Sequence, residues 1–278
     1  MRLATAALLS ALAVTALGSC GGGGGGSNND FQEALRLAPT DTIYVEYLDV
    51  AAIFGNDELS DAEEAIPGFF DSAIDEFAID LHRVRWLAGY STDESSGMVI
   101  EAEVDDEALQ ELLEDDYDAS DDDEGAAVIW EFDDLDEAVG FLPGNRYTFR
   151  FTADYSQRIA RVAQGERDSL LDREDGLAAL VEALPPGQLY YISLFCDELD
   201  GCEAHGESAR LIAPGVLQVR AIVVFGDEDE ADDAERDVED FFESVLDDAD
   251  NIEIEVDERF VTIDYEFDAD DYIAFFGF

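Results

Sequence analysis

Gly97 to Leu113 reads GMVIEAEVDDEALQELL, and its hydrophobic period changes partway along. Met98, Ile100, Ala102 and Val104 alternate with Val99, Glu101 and Glu103, which is the period of a strand with two distinct faces. From Asp105-Asp106 the spacing becomes helical, with Ala108, Leu109, Leu112 and Leu113 on one side. Acids in that first turn suit the positive end of the helix dipole. The same succession returns later in the chain. Leu217, Val219, Ala221, Val223 and Phe225 alternate, and a helix from about Glu230 to Asp248 carries Ala234, Val238, Phe241, Phe242, Val245 and Leu246 inward.

Working outward from the first of these stretches, a strand is expected over Ile43–Leu48, with Tyr44, Glu46 and Leu48 on the face opposite Ile43, Val45 and Tyr47. Helical spacing follows over Asp57–Ala65 and again over Phe69–Leu81, with Pro67-Gly68 between them. Strands are expected at Arg83–Tyr90 and Ala126–Phe132, with an acidic loop over Asp115–Gly125. In the second half, strands are expected at Tyr147–Phe151, Gln188–Phe195 and Val216–Phe225, and a hairpin joins Ile252–Val256 to Val261–Phe267. Helices fall at Ala153–Gln164 and Glu174–Leu184, and Cys196–Pro214 reads as a loop excursion. The order β-α-β-β-α-β is that of a ferredoxin-like sandwich. The fold expected is therefore α+β, a duplication of ferredoxin-like βαββαβ units with antiparallel sheets, one at 31–142 and one at 143–278. A single larger antiparallel sheet with helices on one face satisfies the same elements.

Ahead of these units lies an apolar run, Leu3–Leu17, behind Arg2, then Leu17-Gly18-Ser19-Cys20 and the glycines Gly21–Gly26. A positive start, an apolar core and small residues before a cut make a secretory signal peptide. The run is shorter than the ~20 residues a membrane span needs. The tetrapeptide resembles the lipobox of bacterial and archaeal lipoproteins. That resemblance implies removal of residues 1–19, a diacylglyceryl group on the Cys20 thiol, and a linker over 20–30. It also implies a location on the cell membrane, facing the extracellular or periplasmic side.

The mature chain expected after that cut has 13 arginines against 70 acids, a net charge of −57, and no lysine anywhere. Hydrophobic residues still make up 47% of the sequence, enough for a sizeable core rather than a disordered acidic tail. A surface this negative repels nucleic acid and anionic headgroups. It also repels itself unless salt screens it, and at ~1 M salt the Debye length is only about 3 Å. A halophilic setting is the simplest account of the composition.

With no lysine there is no Walker A loop, Schiff base or kinase-type ion pair. Neither a G-x-S-x-G elbow nor an H-E-x-x-H helix occurs, and the histidines are His82 and His205. His205, with Glu203 and Glu207 beside it, is a conceivable metal trio, but 70 acids place acids near every histidine. Acid pairs are undiagnostic for the same reason. Asp118–Gly125 lacks the glycine at position six and the acid at twelve of a calcium loop. With Cys20 committed to lipid, Cys196 and Cys202 form an even pair in an oxidising compartment and are expected to be disulfide-bonded. The aromatic terminus Tyr272–Phe278 is expected to close a sheet edge or groove, or else to contact another envelope protein.

The segment Leu37-Ala38-Pro39-Thr40-Asp41-Thr42-Ile43-Tyr44-Val45, with GMVIEAEVDDEALQELL and AAVIWEF, resembles a family of uncharacterised bacterial surface proteins, mostly lipoproteins. The resemblance spans residues 35 to about 267 and implies no catalytic residue, cofactor or metal. The expectation for function is a lipid-anchored surface protein with a non-catalytic binding or envelope-interaction role. The alternatives are a secreted hydrolase using carboxylates or an acid-bound metal, and a solute receptor for a transporter.

Overall fold

The computed structural model describes residues 27–54, 77, 79–116, 119–124, 127–132, 136–173, 176–194, 199, 201–213, 216–245 and 249–268. Several expected features lie outside them: the signal segment with Cys20 and its glycines, the helix over 57–65, nearly all of that over 69–81, Cys196 and the aromatic terminus. The chain divides into two compact units. The N-terminal unit comprises Asn29–Ala51 and Pro67–Asp172, and the C-terminal unit is built chiefly on Arg173–Phe278.

The N-terminal unit opens with helix α1 (Ser27–Leu37), strand β1 (Tyr44–Leu48) and a one-turn helix α2 (Val50–Phe54) that continues past its boundary. Then come β2 (Val84–Ser91), β3 (Ser96–Ala102), α3 (Asp106–Asp116), β4 (Ala119–Glu124), β5 (Ala127–Phe132), β6 (Ala138–Leu142), β7 (Arg146–Phe151) and α4 (Ala153–Ala163). Its strands lie in the order β1-β2-β3-β7-β6-β5-β4, every neighbour antiparallel. The C-terminal unit has α5 (Gly176–Ala183), β8 (Leu189–Ser193), β9 (Cys202–Ala213), β10 (Val216–Phe225), α6 (Glu228–Val245), β11 (Asp250–Asp257) and β12 (Phe260–Asp268). Its order is β8-β9-β10-β12-β11, again antiparallel throughout.

The α+β class and the antiparallel sheets agree with the sequence, but the ferredoxin-like order does not. That arrangement sets a third strand between the first two, whereas Tyr44–Leu48 pairs directly with Leu87–Ser91. The boundary also moves. Tyr147–Phe151 was expected to open the second unit, yet β7 pairs with β3 and β6, so it and α4 complete the first.

Two segments expected as loops are strands. Four of the six residues of β4 are acids, but ladder pairing with β5 uses backbone groups, and charged residues suit a strand at a sheet edge. β9 has no apolar alternation because it is a central strand with small residues between β8 and β10. At its middle, Gly206 admits close neighbours: a Cβ there would meet the Tyr191 carbonyl oxygen at 2.7 Å and Leu180 of α5 at 3.2 Å. β6 had no expectation at all. It is joined to β7 through Gly144 (φ 86°) and Asn145 (φ 58°), both in the left-handed region a tight hairpin requires.

Arg150, at φ 65°, makes a bulge in β7, so that Gly140 opposes Thr148 while Ala138 opposes Phe151. The bulge carries Phe151 against Tyr155 of α4, ring centroids 4.9 Å apart. Thr148 accordingly meets Ser156 of the same helix, their hydroxyls 3.1 Å apart. The rest of the core is aromatic as well, with Phe77 5.0 Å from Phe149 and Tyr47 6.1 Å from Trp86.

Candidate functional site

The first described element after the glycine run is α1, and it is held firmly. Phe31, Ala34, Leu35 and Leu37 are buried, Phe31 lies edge-on to Tyr47 at 5.5 Å, and the Tyr90 hydroxyl donates to the Ala34 carbonyl at 2.6 Å. Arginines converge on the same stretch. Arg85 reaches Asp30 and Glu101, each at 2.7 Å, Arg146 reaches Glu33 and Glu101, and Arg158 reaches Asp41 and Asp154. The ion pairs run from part-buried (Arg146–Glu101) to open at one partner (Arg158–Asp154), and an exposed pair is worth roughly 0–1 kcal/mol, whereas each buried large apolar side chain contributes about 1.5–3 kcal/mol. Apolar burial therefore holds α1, and the arginines fix its register.

Two glutamates depart from the rule that acids face outward. Glu46 of β1 lies directly across from Gly89 of β2. Burial pushes its pKa up to about 7, against the opposing effect of the hydrogen bond from the Tyr44 hydroxyl. Glu207 of β9 is 7% exposed, and burial likewise pushes its pKa up to about 7. The Tyr265 hydroxyl donates to it at 3.3 Å and partly offsets that rise.

Register places Tyr191, Glu207, Ala221 and Ile263 in one row across β8, β9, β10 and β12, and Ser193, His205, Val223 and Val261 in the next. All eight share one sheet face. His205 packs on Tyr191 with ring centroids 5.4 Å apart, and its Nε2 is sealed from solvent. Burial holds its pKa down at about 4. Glu203 does not join this group. It is exposed at the start of β9 and pairs with Arg259 at 3.3 Å. The sequence trio is therefore split, and among the described residues no group of three His, Cys, Asp or Glu is placed to hold a metal.

His82 sits in a 3-10 turn (Leu81–Arg83) and is exposed. Cys202 opens β9, while Cys196, its expected disulfide partner, lies outside the described residues. No described helix is long and apolar enough to cross a membrane. Sequence reasoning missed Glu207 as an inward acid because it is one of 70 acids. The available signal was its setting, since no other acid occurs between residues 204 and 213.

No family model matches the chain, and no curated protein matches it. Among solved structures, crystal form I of TP0453 is similar in fold, with a TM-score of 0.53 and 12% identity. The match covers 87% of this chain and 95% of that one. At that identity the likeness concerns the fold alone.

Proposed function

We propose that the chain is a lipid-anchored cell-surface protein with a non-catalytic binding or envelope-interaction role, a member of a surface lipoprotein family. The observation that carries this reading is Leu17-Gly18-Ser19-Cys20 with six glycines directly after it and α1 starting at Ser27. A diacylglyceryl group on Cys20 supplies the membrane attachment, the glycines the leash, and α1 the fastening to the folded part. The membrane is then the first partner, reached through lipid, and another envelope protein the second. Nucleic acid is disfavoured by the charge.

The two units further support an internal duplication, of a unit other than the ferredoxin-like one. Each holds a helix, three mutually paired antiparallel strands, a further helix and a returning hairpin, to which the N-terminal unit adds α2 and α4. The series β8-β9-β10-β12-β11 corresponds to β1-β2-β3-β7-β6, with the β4–β5 hairpin added at the edge. Brine explains the acidity, and a Cys196–Cys202 bridge fits the oxidising side of the membrane.

The hydrolase reading draws support from Glu207 with its raised pKa. The hydroxyl on that carboxylate comes from a buried tyrosine of the same sheet, and among the described residues no second carboxylate stands across from it as a glycoside hydrolase requires. The experiment is fractionation of cells expressing wild type or Cys20→Ala, with and without globomycin. The wild type stays with membranes, and the variant is released or mislocalised. A variant that remains membrane-bound with unchanged mobility refutes the reading.

A further inference from the structure

The β9–β10 hairpin turns through the sequence LIAPGVL, residues 211–217, which holds no charge in a chain where charged residues make up 30%. Its ladder is interrupted there. Leu217 opposes Leu211 and Val216 opposes Ala213, so Ile212 is an extra residue with no partner position in β10. A bulge of this kind bends the strand and re-aims a side chain. Ile212 is 46% exposed, and no other large hydrophobic side chain among the described residues is exposed.

Register brings a second apolar segment to the same end of the sheet. β8 begins at Leu189, opposite Ala209, so residues 210–213 run about 13 Å past it and pair, among the described strands, with β10 alone. On the far side of β10, Val216 stands opposite Asp268, the last residue of β12. The chain therefore leaves β12 in the row of Ala213, two strand spacings or about 10 Å away. After Asp268 come Ala269, Asp270 and Asp271, and then Tyr272-Ile273-Ala274-Phe275-Phe276-Gly277-Phe278, all outside the described residues. The stretch from Asp268 to Phe275 reaches at most ~25 Å when extended, ample for a return to the tip.

We propose that residues 272–278 fold back over the β9–β10 tip and cover Ile212 and its half-buried neighbour Val216, closing this end of the C-terminal unit's sheet. The tether decides for this occupant over others. A linker this short holds the aromatic segment at an effective concentration on the order of millimolar, against which any separate partner competes. A second copy also brings like charges together, since the chain carries −56. A bilayer is disfavoured by Asp268, Asp270 and Asp271, which would enter an anionic headgroup layer with the aromatic segment. Folding back leaves those acids in water and removes apolar surface from it on both partners.

The test measures coupling between tip and terminus. Ile212→Ser is placed in the full chain and in a chain ending at Asp271, and each is unfolded by denaturant in molar salt. The substitution lowers the folding constant roughly fivefold more in the full chain, because only there do aromatic side chains lie over the site. Equal penalties in the two backgrounds overturn the proposal. A second measurement needs the full chain alone: a benzophenone-bearing amino acid takes the place of Ile212, and illumination is followed by peptide mapping. Adducts on residues 272–278 of the same chain are expected at micromolar protein, with or without phosphatidylcholine vesicles. Adducts to a second chain or to lipid, or none on that segment, overturn the proposal as directly.

Discussion

Phe31→Ala probes whether α1 belongs to the fold or to the leash. Phe31 is 1% exposed and lies 5.5 Å from the Tyr47 ring, edge to face. Its neighbours on the helix, Ala34 and Leu35, are fully buried, and the Tyr90 hydroxyl grips the Ala34 carbonyl, so the site has little freedom to collapse around a cavity. Deleting a buried phenyl in such a setting costs about 3–5 kcal/mol. Against a total of ~5–15 kcal/mol, that is a large share of the unit's stability. At roughly 3–5 °C per kcal/mol for a unit of this size, the melting midpoint falls by about 10–20 °C. Circular dichroism melts in molar salt measure it, with exposed Glu253→Gln as the control that moves within about 0.5 kcal/mol. A shift under about 3 °C for Phe31→Ala, one no larger than the control's, means that α1 contributes nothing to the core, and the fastening described for it is wrong.

Salt and the disulfide give two further tests. With 70 acids and 14 arginines, the melting midpoint rises as sodium chloride increases from dilute buffer to ~2 M, since compact folding crowds like charges that salt screens. A midpoint unchanged across that series assigns the acidity to genomic bias instead. Cys196 and Cys202 are blocked to alkylation in the unreduced protein, and reduction lowers stability by about 2–2.5 kcal/mol for so short a loop. Free thiols at both positions in mass spectrometry contradict that pairing.

How far the sequence could be read varied with what each strand buries. β12 and the first half of β10 carry clean alternation because one side is buried and the other is not, and β3 is marked by Glu101 and Glu103 between Ile100, Ala102 and Val104, so their periods declare them. β4 and β9 were hidden for opposite reasons. β4 has acids at four of its six positions, and no apolar face marks it. β9 lies between two strands and pairs along both edges, with Ala204, Gly206 and Ser208 on one face and His205, Glu207 and Ala209 on the other. Small residues suit both sides, so no period of two stands out. Strand order was illegible because it depends on which edges meet, and a βαββαβ succession is compatible with several orders. β7 illustrates this: its alternation was plain, but nothing local told that it would pair with β3. The acids were the least legible, since an inward Glu46 or Glu207 differs from dozens of outward ones only by the surface laid over it.

Lipid on Cys20 is tested most directly by mass analysis of the membrane-extracted protein. The expected species begins at Cys20, lacks residues 1–19, and carries the mass of a diacylglyceryl group on its N-terminal tryptic peptide, which ends at Arg36. A protein that retains Met1, or that begins at an unmodified residue, contradicts the anchored reading.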